Sequence, residues 1–114
     1  IAEHEADELT RLEFPGGHIF VSRRNEPPGT PIRCRIQARD VSLALQRHDD
    51  SSLLNLLPAT VADIAALPGG QVQLRLEAGG APLLARISHR SLERLALRPG
   101  MAVWAQVKAV ALLA

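Results

Sequence analysis

Gln71-Val72-Gln73-Leu74-Arg75-Leu76-Glu77 alternates polar and apolar residues without a break. A strand with period two turns one face to water and buries the other. The next residues, Ala78-Gly79-Gly80, form a turn signal. They lead into a second apolar run, Pro82-Leu83-Leu84-Ala85-Arg86-Ile87. An antiparallel hairpin is the reading, and it sets the expectation for the chain: short strands joined by Gly- and Pro-bearing turns.

Working outward, the same grammar recurs. Leu9–Phe14 alternates loosely, Pro15-Gly16-Gly17 turns, and Ile19-Phe20-Val21 returns. Arg98-Pro99-Gly100 precedes a further strand, Met101–Val107. One stretch reads as helix: Ser88 can cap it, and Leu92 and Leu95 lie one turn apart, so a short helix is expected near residues 89–97. The two halves repeat an order: a Gly-Gly hairpin, a Pro-Gly turn, a strand, and an apolar end strand (Ile36–Ala44 in the first, Val107–Ala114 in the second). The expected fold is all-β, with tandem small antiparallel barrels of the oligonucleotide/oligosaccharide-binding (OB) type and one short helix. The polar joint Gln46–Ser51 divides the chain into 1–48, a half incomplete at its start, and 49–114. The first residue is Ile1 and the opening reads as mid-domain sequence, so a piece of a longer protein is expected.

Composition narrows the function. With 46% hydrophobic residues but two Phe, one Trp and no Tyr, the core must be aliphatic, and a base-stacking nucleic-acid surface is disfavoured. The net charge of +1 gives no electrostatic case for DNA, RNA or anionic lipid. Residues 1–50 carry seven Arg against nine acids, whereas residues 51–114 carry five Arg and one Lys against three. A small anion therefore favours the second half. The four histidines lack ligand spacing, which argues against a metal-cation site, and no phosphate-cradling Gly-rich loop ends in Lys-Ser/Thr. No catalytic set stands out. Cys34 lies on the apolar phase of Ile32–Ile36 and is expected as a buried core thiol. Trp104 is out of phase with Val103 and Ala105, so an outer face covered by another group is expected.

Three segments carry a resemblance: Ser51-Ser52-Leu53-Leu54-Asn55-Leu56-Leu57-Pro58, Ala85-Arg86-Ile87-Ser88-His89-Arg90-Ser91, and Gln106-Val107-Lys108-Ala109-Val110. In that order and spacing they resemble the Mop repeat, also described as a transport-associated OB (TOBE) barrel, of the kind found in molybdate importer ATPase subunits. Arg39–Leu45 is also similar to the stretch lying upstream of that unit. The resemblance implies a regulatory domain that binds molybdate or tungstate between two copies, with no other cofactor. It implies a homodimer through the second half, an ATPase domain elsewhere in the same protein, and membrane permease subunits as partners. It also implies a cytoplasmic location, peripheral on the membrane's inner face. The alternative is a purely structural dimerisation domain with no ligand; an importer of sugar, sulfate or iron is a third reading. The family's Ser-Ala-Arg-Asn motif has Leu54 here in place of Arg, and its later Thr is Ser88.

A tetrahedral dianion has acceptors and no donors, so its site needs N–H groups, hydroxyls and a cation. The candidate residues are Ser52, Asn55, Ser88, Ser91, Lys108 and Ala109. Lys108 is the lone lysine beside twelve arginines, which points to a need for a compact ammonium, or to a solvated strand lysine. Ser88 reads equally as a helix cap, and Asn55 as a turn former.

Overall fold

The computed structural model describes residues 2–4, 9–14, 17–22, 27–47 and 55–113. Among these residues, ten strands, a 3-10 turn and one short helix make an all-β fold. The principal sheet is antiparallel and has five strands in the order β5-β9-β6-β7-β8. These are β5 (Val41–Ala44), β6 (Asn55–Leu67), β7 (Gln71–Ala78), β8 (Ala81–Ser88) and β9 (Ala102–Val107). The sheet curls so that β5, at one edge, packs against β8, at the other, giving an OB-like half-barrel.

The deciding stretch behaves as its alternation predicts. Val72, Leu74, Leu76 and Ala78 of β7 are buried, while Arg75 and Glu77 are exposed. Gly79 and Gly80 close the β7–β8 hairpin with φ of 60° and 89°, between the paired Ala78 and Ala81. A two-residue loop with both φ positive matches the twist of the flanking strands, and glycine takes it without a Cβ clash. The barrel core is aliphatic: Val41, Leu57, Val61, Leu74, Leu76, Ala85, Leu97, Val103, Ala105 and Val107 are all buried.

The longest strand is one that the alternation did not reveal. β6 runs for 13 residues through Pro58 and four alanines, which mute the period-two signal. It lies between β7 and β9, and a register shift between Val61 and Asp63 bends it. Bulges of this kind increase local twist and help a sheet close. Thr60-Val61 and the following Pro68-Gly69-Gly70 were the available cues.

Residues from the two ends of the chain interleave. β5 joins the sheet built from residues 55–107, pairing Val41 with Val107 and Ala44 with Trp104. β10 (Ala111–Leu113) leaves that sheet and pairs with β4 (Arg33–Arg35). β1 (Ala2–His4), β2 (Leu9–Phe14) and β3 (Gly17–Ser22) form a separate three-stranded sheet. Its Leu12 and Ile19 join the common core.

Two expectations need correction. Ala38–Asp40 is a 3-10 turn, so the strand expected over residues 36–44 begins only at Val41. Cys34 is exposed rather than buried. Among the described residues its strand pairs with β10 alone, so its apolar phase faces a cavity instead of a packed layer. Burial of part of the side chain against that cavity pushes the Cys34 thiol up from its ordinary value.

Candidate functional site

The helix α1 (His89–Arg94) starts where the sequence placed it. Ser88 is its N-cap, with its Oγ accepting from the Ser91 N–H at 3.1 Å. The same Ser88 hydroxyl donates to Ser91 Oγ at 3.0 Å. Both hydroxyls are therefore together, as expected, but Ser88 is fully engaged in ending the strand and starting the helix. Ser91 Oγ accepts this hydrogen bond and keeps its own proton to donate. At the other end of α1, Leu97 N–H reaches Leu92 C=O at 3.1 Å, and Ala96 takes the left-handed conformation at φ 51°. This is a Schellman-type ending with alanine in the position that usually holds glycine.

Asn55 opens β6 and is neither a turn former nor an unengaged donor. Its Oδ1 accepts from the Phe20 N–H at 2.6 Å, and its Nδ2 donates to the Phe20 carbonyl at 3.0 Å. The side-chain amide thus stands in for a peptide group and fastens β3 to β6. No sequence cue signals a pairing across 35 residues.

Asn55 is in register with Val107, so Lys108 sits at the same end of the β6–β9 ladder. The Lys108 N–H is spent on the Asp40 carbonyl at 2.7 Å. Its side chain is exposed, and the ammonium has no hydrogen bond or ion pair among the described residues. Ala109 is exposed beside it. Ser52, with Leu54, lies outside the described residues. Ser88 and Ser91 are thus in hydrogen-bond contact, whereas Asn55 and Lys108 share only an end of the β6–β9 ladder. Among the described residues no hydrogen bond links the two pairs within one copy.

The remaining surface sorts by polarity. A cavity of about 600 Å³ is lined mostly by apolar residues including Leu12, Phe14, Ile19, Leu57 and Leu83; its one cation, Arg75, is already turned to Asp63 and Glu77 at 3.2 and 3.7 Å, and Glu13 is also in the lining, so it suits a dianion poorly. A smaller cleft of about 220 Å³ lies between β5 and α1, lined by Ser42, Leu43, Ile87, Ser91, Arg94 and Leu95. Trp104 is half-buried, and the Arg47 guanidinium lies 5.4 Å from its ring centroid, so part of its cover comes from this chain. Among the described residues no group of His, Cys, Asp and Glu could hold a metal ion. Nor, among the described residues, is any helix long and apolar enough to cross a membrane.

A family model described as the TOBE domain matches residues 51–114. Across 115 aligned positions the chain is 54% identical to molybdenum import ATP-binding protein ModC 1 of Azotobacter vinelandii, covering 99% of this chain and 32% of that protein. ModC of Albidiferax ferrireducens is 50% identical over 113 positions, covering 99% of this chain and 31% of that protein. ModC of Pseudomonas fluorescens is 45% identical over 118 positions, covering all of this chain and 33% of that protein. The chain spans about a third of the length of these relatives. By these matches the chain belongs to the TOBE-domain family, and its 114 residues correspond to the TOBE-bearing part of molybdenum import ATP-binding proteins, not to their ATPase domain.

Proposed function

We propose that this chain is the accessory domain of a molybdate importer's ATP-binding subunit, and that it senses the transported oxyanion. Two copies pair through their second halves. Molybdate or tungstate is held where Ser88 and Ser91 of one copy approach Lys108, Ala109 and the Ser52–Asn55 segment of the other. Anion binding favours one arrangement of the paired subunits over another, which is the differential affinity that any such regulation requires. The subunit works on the cytoplasmic face of the membrane, and the rest of the protein contacts the permease. The two halves, 1–48 and 49–114, act as one module, because β5 of the first lies in the sheet of the second.

The observation that carries this reading is Lys108. It is the chain's one lysine, exposed, with an ammonium unpaired among the described residues, in the half of the chain with excess positive charge. The relatives are named for molybdenum import, which supports molybdate as the anion. Calorimetry with molybdate, with mass followed by sedimentation, tests it. A charge-assisted hydrogen bond contributes about 1.5–3 kcal/mol. Lys108→Ala is therefore expected to weaken binding by about tenfold to a hundredfold with the fold intact, and Lys108→Arg to restore it incompletely because a planar fork replaces a compact ammonium. Equal binding by Lys108→Ala and the parent chain, or no binding by either at millimolar anion, overturns the reading.

A second reading, a ligand-free dimerisation domain, has a specific observation in its favour. The Ser88 hydroxyl and both polar atoms of the Asn55 amide already have partners inside the fold. Dimerisation unaffected by anion, together with null calorimetry, is the result this reading predicts.

A further inference from the structure

The cleft between β5 and α1 lies beside the site drawn above and shares Ser91 with it. Its chemistry is one-sided. Arg94 lines it, is exposed, and makes no ion pair among the described residues. The adjacent acid, Glu93, is turned to His89, with 3.7 Å between Oε1 and Nδ1. Ser91 also lines the cleft, and its hydroxyl accepts from Ser88, which leaves the Ser91 proton to donate. Ser42 forms the opposite wall and directs its own proton to Gln106 Oε1 at 3.0 Å. Leu43, Ile87 and Leu95 complete the lining, and no carboxylate is among the lining residues. The volume of about 220 Å³ is several times the roughly 30 Å³ share of a water molecule in the liquid, enough for a five-atom oxyanion and some water.

We propose that this cleft is an oxyanion subsite, in which the Arg94 guanidinium and the Ser91 hydroxyl donate to a tetrahedral dianion while Leu43, Ile87 and Leu95 shield one side of it. The proposal rests on the oxyanion-sensing reading and adds a cation to it. A guanidinium fork suits two oxygens of a tetrahedral anion, and apolar walls strengthen the attraction by excluding water. Arg94 also lies in the last turn of α1, where any cation is favoured by the helix carbonyls. That simpler role affects folding and not anion affinity, so the two are separable.

The test is calorimetry of the chain with molybdate, and with sulfate for comparison, on the parent, Arg94→Gln, Arg94→Lys and Lys108→Gln, each with a thermal unfolding curve. Arg94→Gln is expected to weaken molybdate binding by about tenfold to a hundredfold, the loss of one charge-assisted contact. Arg94→Lys should fall between the two, since the charge stays and the fork is lost. A lowered unfolding midpoint with unchanged affinity in Arg94→Gln assigns Arg94 to the helix end and overturns the proposal. Loss of binding in Lys108→Gln with full binding in Arg94→Gln also overturns it, leaving the oxyanion-sensing reading standing. Loss in both Arg94→Gln and Lys108→Gln supports it, whereas loss in Arg94→Gln alone overturns the site drawn at Lys108 and leaves the cleft as the anion's place. A parent chain that binds no molybdate overturns both.

Discussion

The five-stranded sheet and the three-stranded sheet are built from similar residues but stand differently. In the first, β5 packs on β8, so the sheet wraps over its own aliphatic face, and Val41, Val61, Leu74, Leu76 and Val107 are all but inaccessible. In the second, Leu12 and Ile19 are buried as members of the core shared with the larger sheet, and β3 is fastened to β6 by the Asn55 amide. Closure supplies one sheet with its own core, whereas the other borrows one. Their stabilities are therefore expected to be nested: the small sheet can open while the barrel holds, and not the reverse.

The largest expected effect tests the barrel side of that contrast. Leu74 has no solvent exposure and sits mid-strand in β7. Leu74→Ala removes buried methyl groups and leaves a cavity, a loss of about 2–5 kcal/mol. Denaturant unfolding followed by far-ultraviolet dichroism should show one shifted transition for the whole chain. If the amides of residues 9–14 and 17–22 stay protected in Leu74→Ala while those of the barrel exchange freely, the nesting is reversed.

Asn55 tests the other side. Asn55→Ala deletes two contacts to Phe20 and leaves its N–H and C=O short of partners. At about 0.5–1.5 kcal/mol per net hydrogen bond, the expected loss is about 1–3 kcal/mol. Hydrogen exchange should accelerate at Phe20 and its strand first, with Leu74 and Leu76 amides little changed. The same variant sharpens the site question. Asn55 was expected near the anion, and its amide is committed to the fold, so any loss of molybdate affinity in Asn55→Ala should follow the loss of β3 docking and be absent where docking is restored.

The contrast also explains what the sequence made legible. Gln71–Glu77 announced itself because period two reports which residues face a core, and β7 has a core on one face only. Ser88 announced the helix because a cap is a local device. Periodicity does not name a strand's partner. That β5 would lie beside β9, and β10 beside β4, depends on chain crossing over long separations. β6 was hidden by alanines and Pro58, whose burial comes from neighbours and not from their own hydrophobicity. Cys34 was assigned to the wrong side for a related reason: alternation gave its phase, but not that a cavity stood there in place of a packed layer. At the site, the residue types were readable, while the hydrogen bonds that Ser88 and Asn55 had already made were not.

The smallest expected effect has the opposite sign. Where the barrel needs a left-handed residue it uses glycine at Gly69, Gly70, Gly79, Gly80 and Gly100, but at the end of α1 it uses Ala96, with φ 51°. A Cβ in that region crowds the following carbonyl and costs about 1–2 kcal/mol. The cost is tolerated because the Schellman hydrogen bonds, Ala96 N–H to Glu93 C=O at 3.0 Å and Leu97 N–H to Leu92 C=O at 3.1 Å, hold the turn, and buried Leu97 anchors it. Ala96→Gly removes the crowding but gives the unfolded chain more freedom, which returns part of the gain. The net expectation is stabilisation by about 0.5–1 kcal/mol, seen as a raised unfolding midpoint. Ala96 is exposed, so lost packing will not mask the gain. If Ala96→Gly instead lowers the midpoint, the left-handed turn is not where the strain lies. In that case α1 ends differently in solution, and the placement of Arg94 two residues earlier must be redrawn with it.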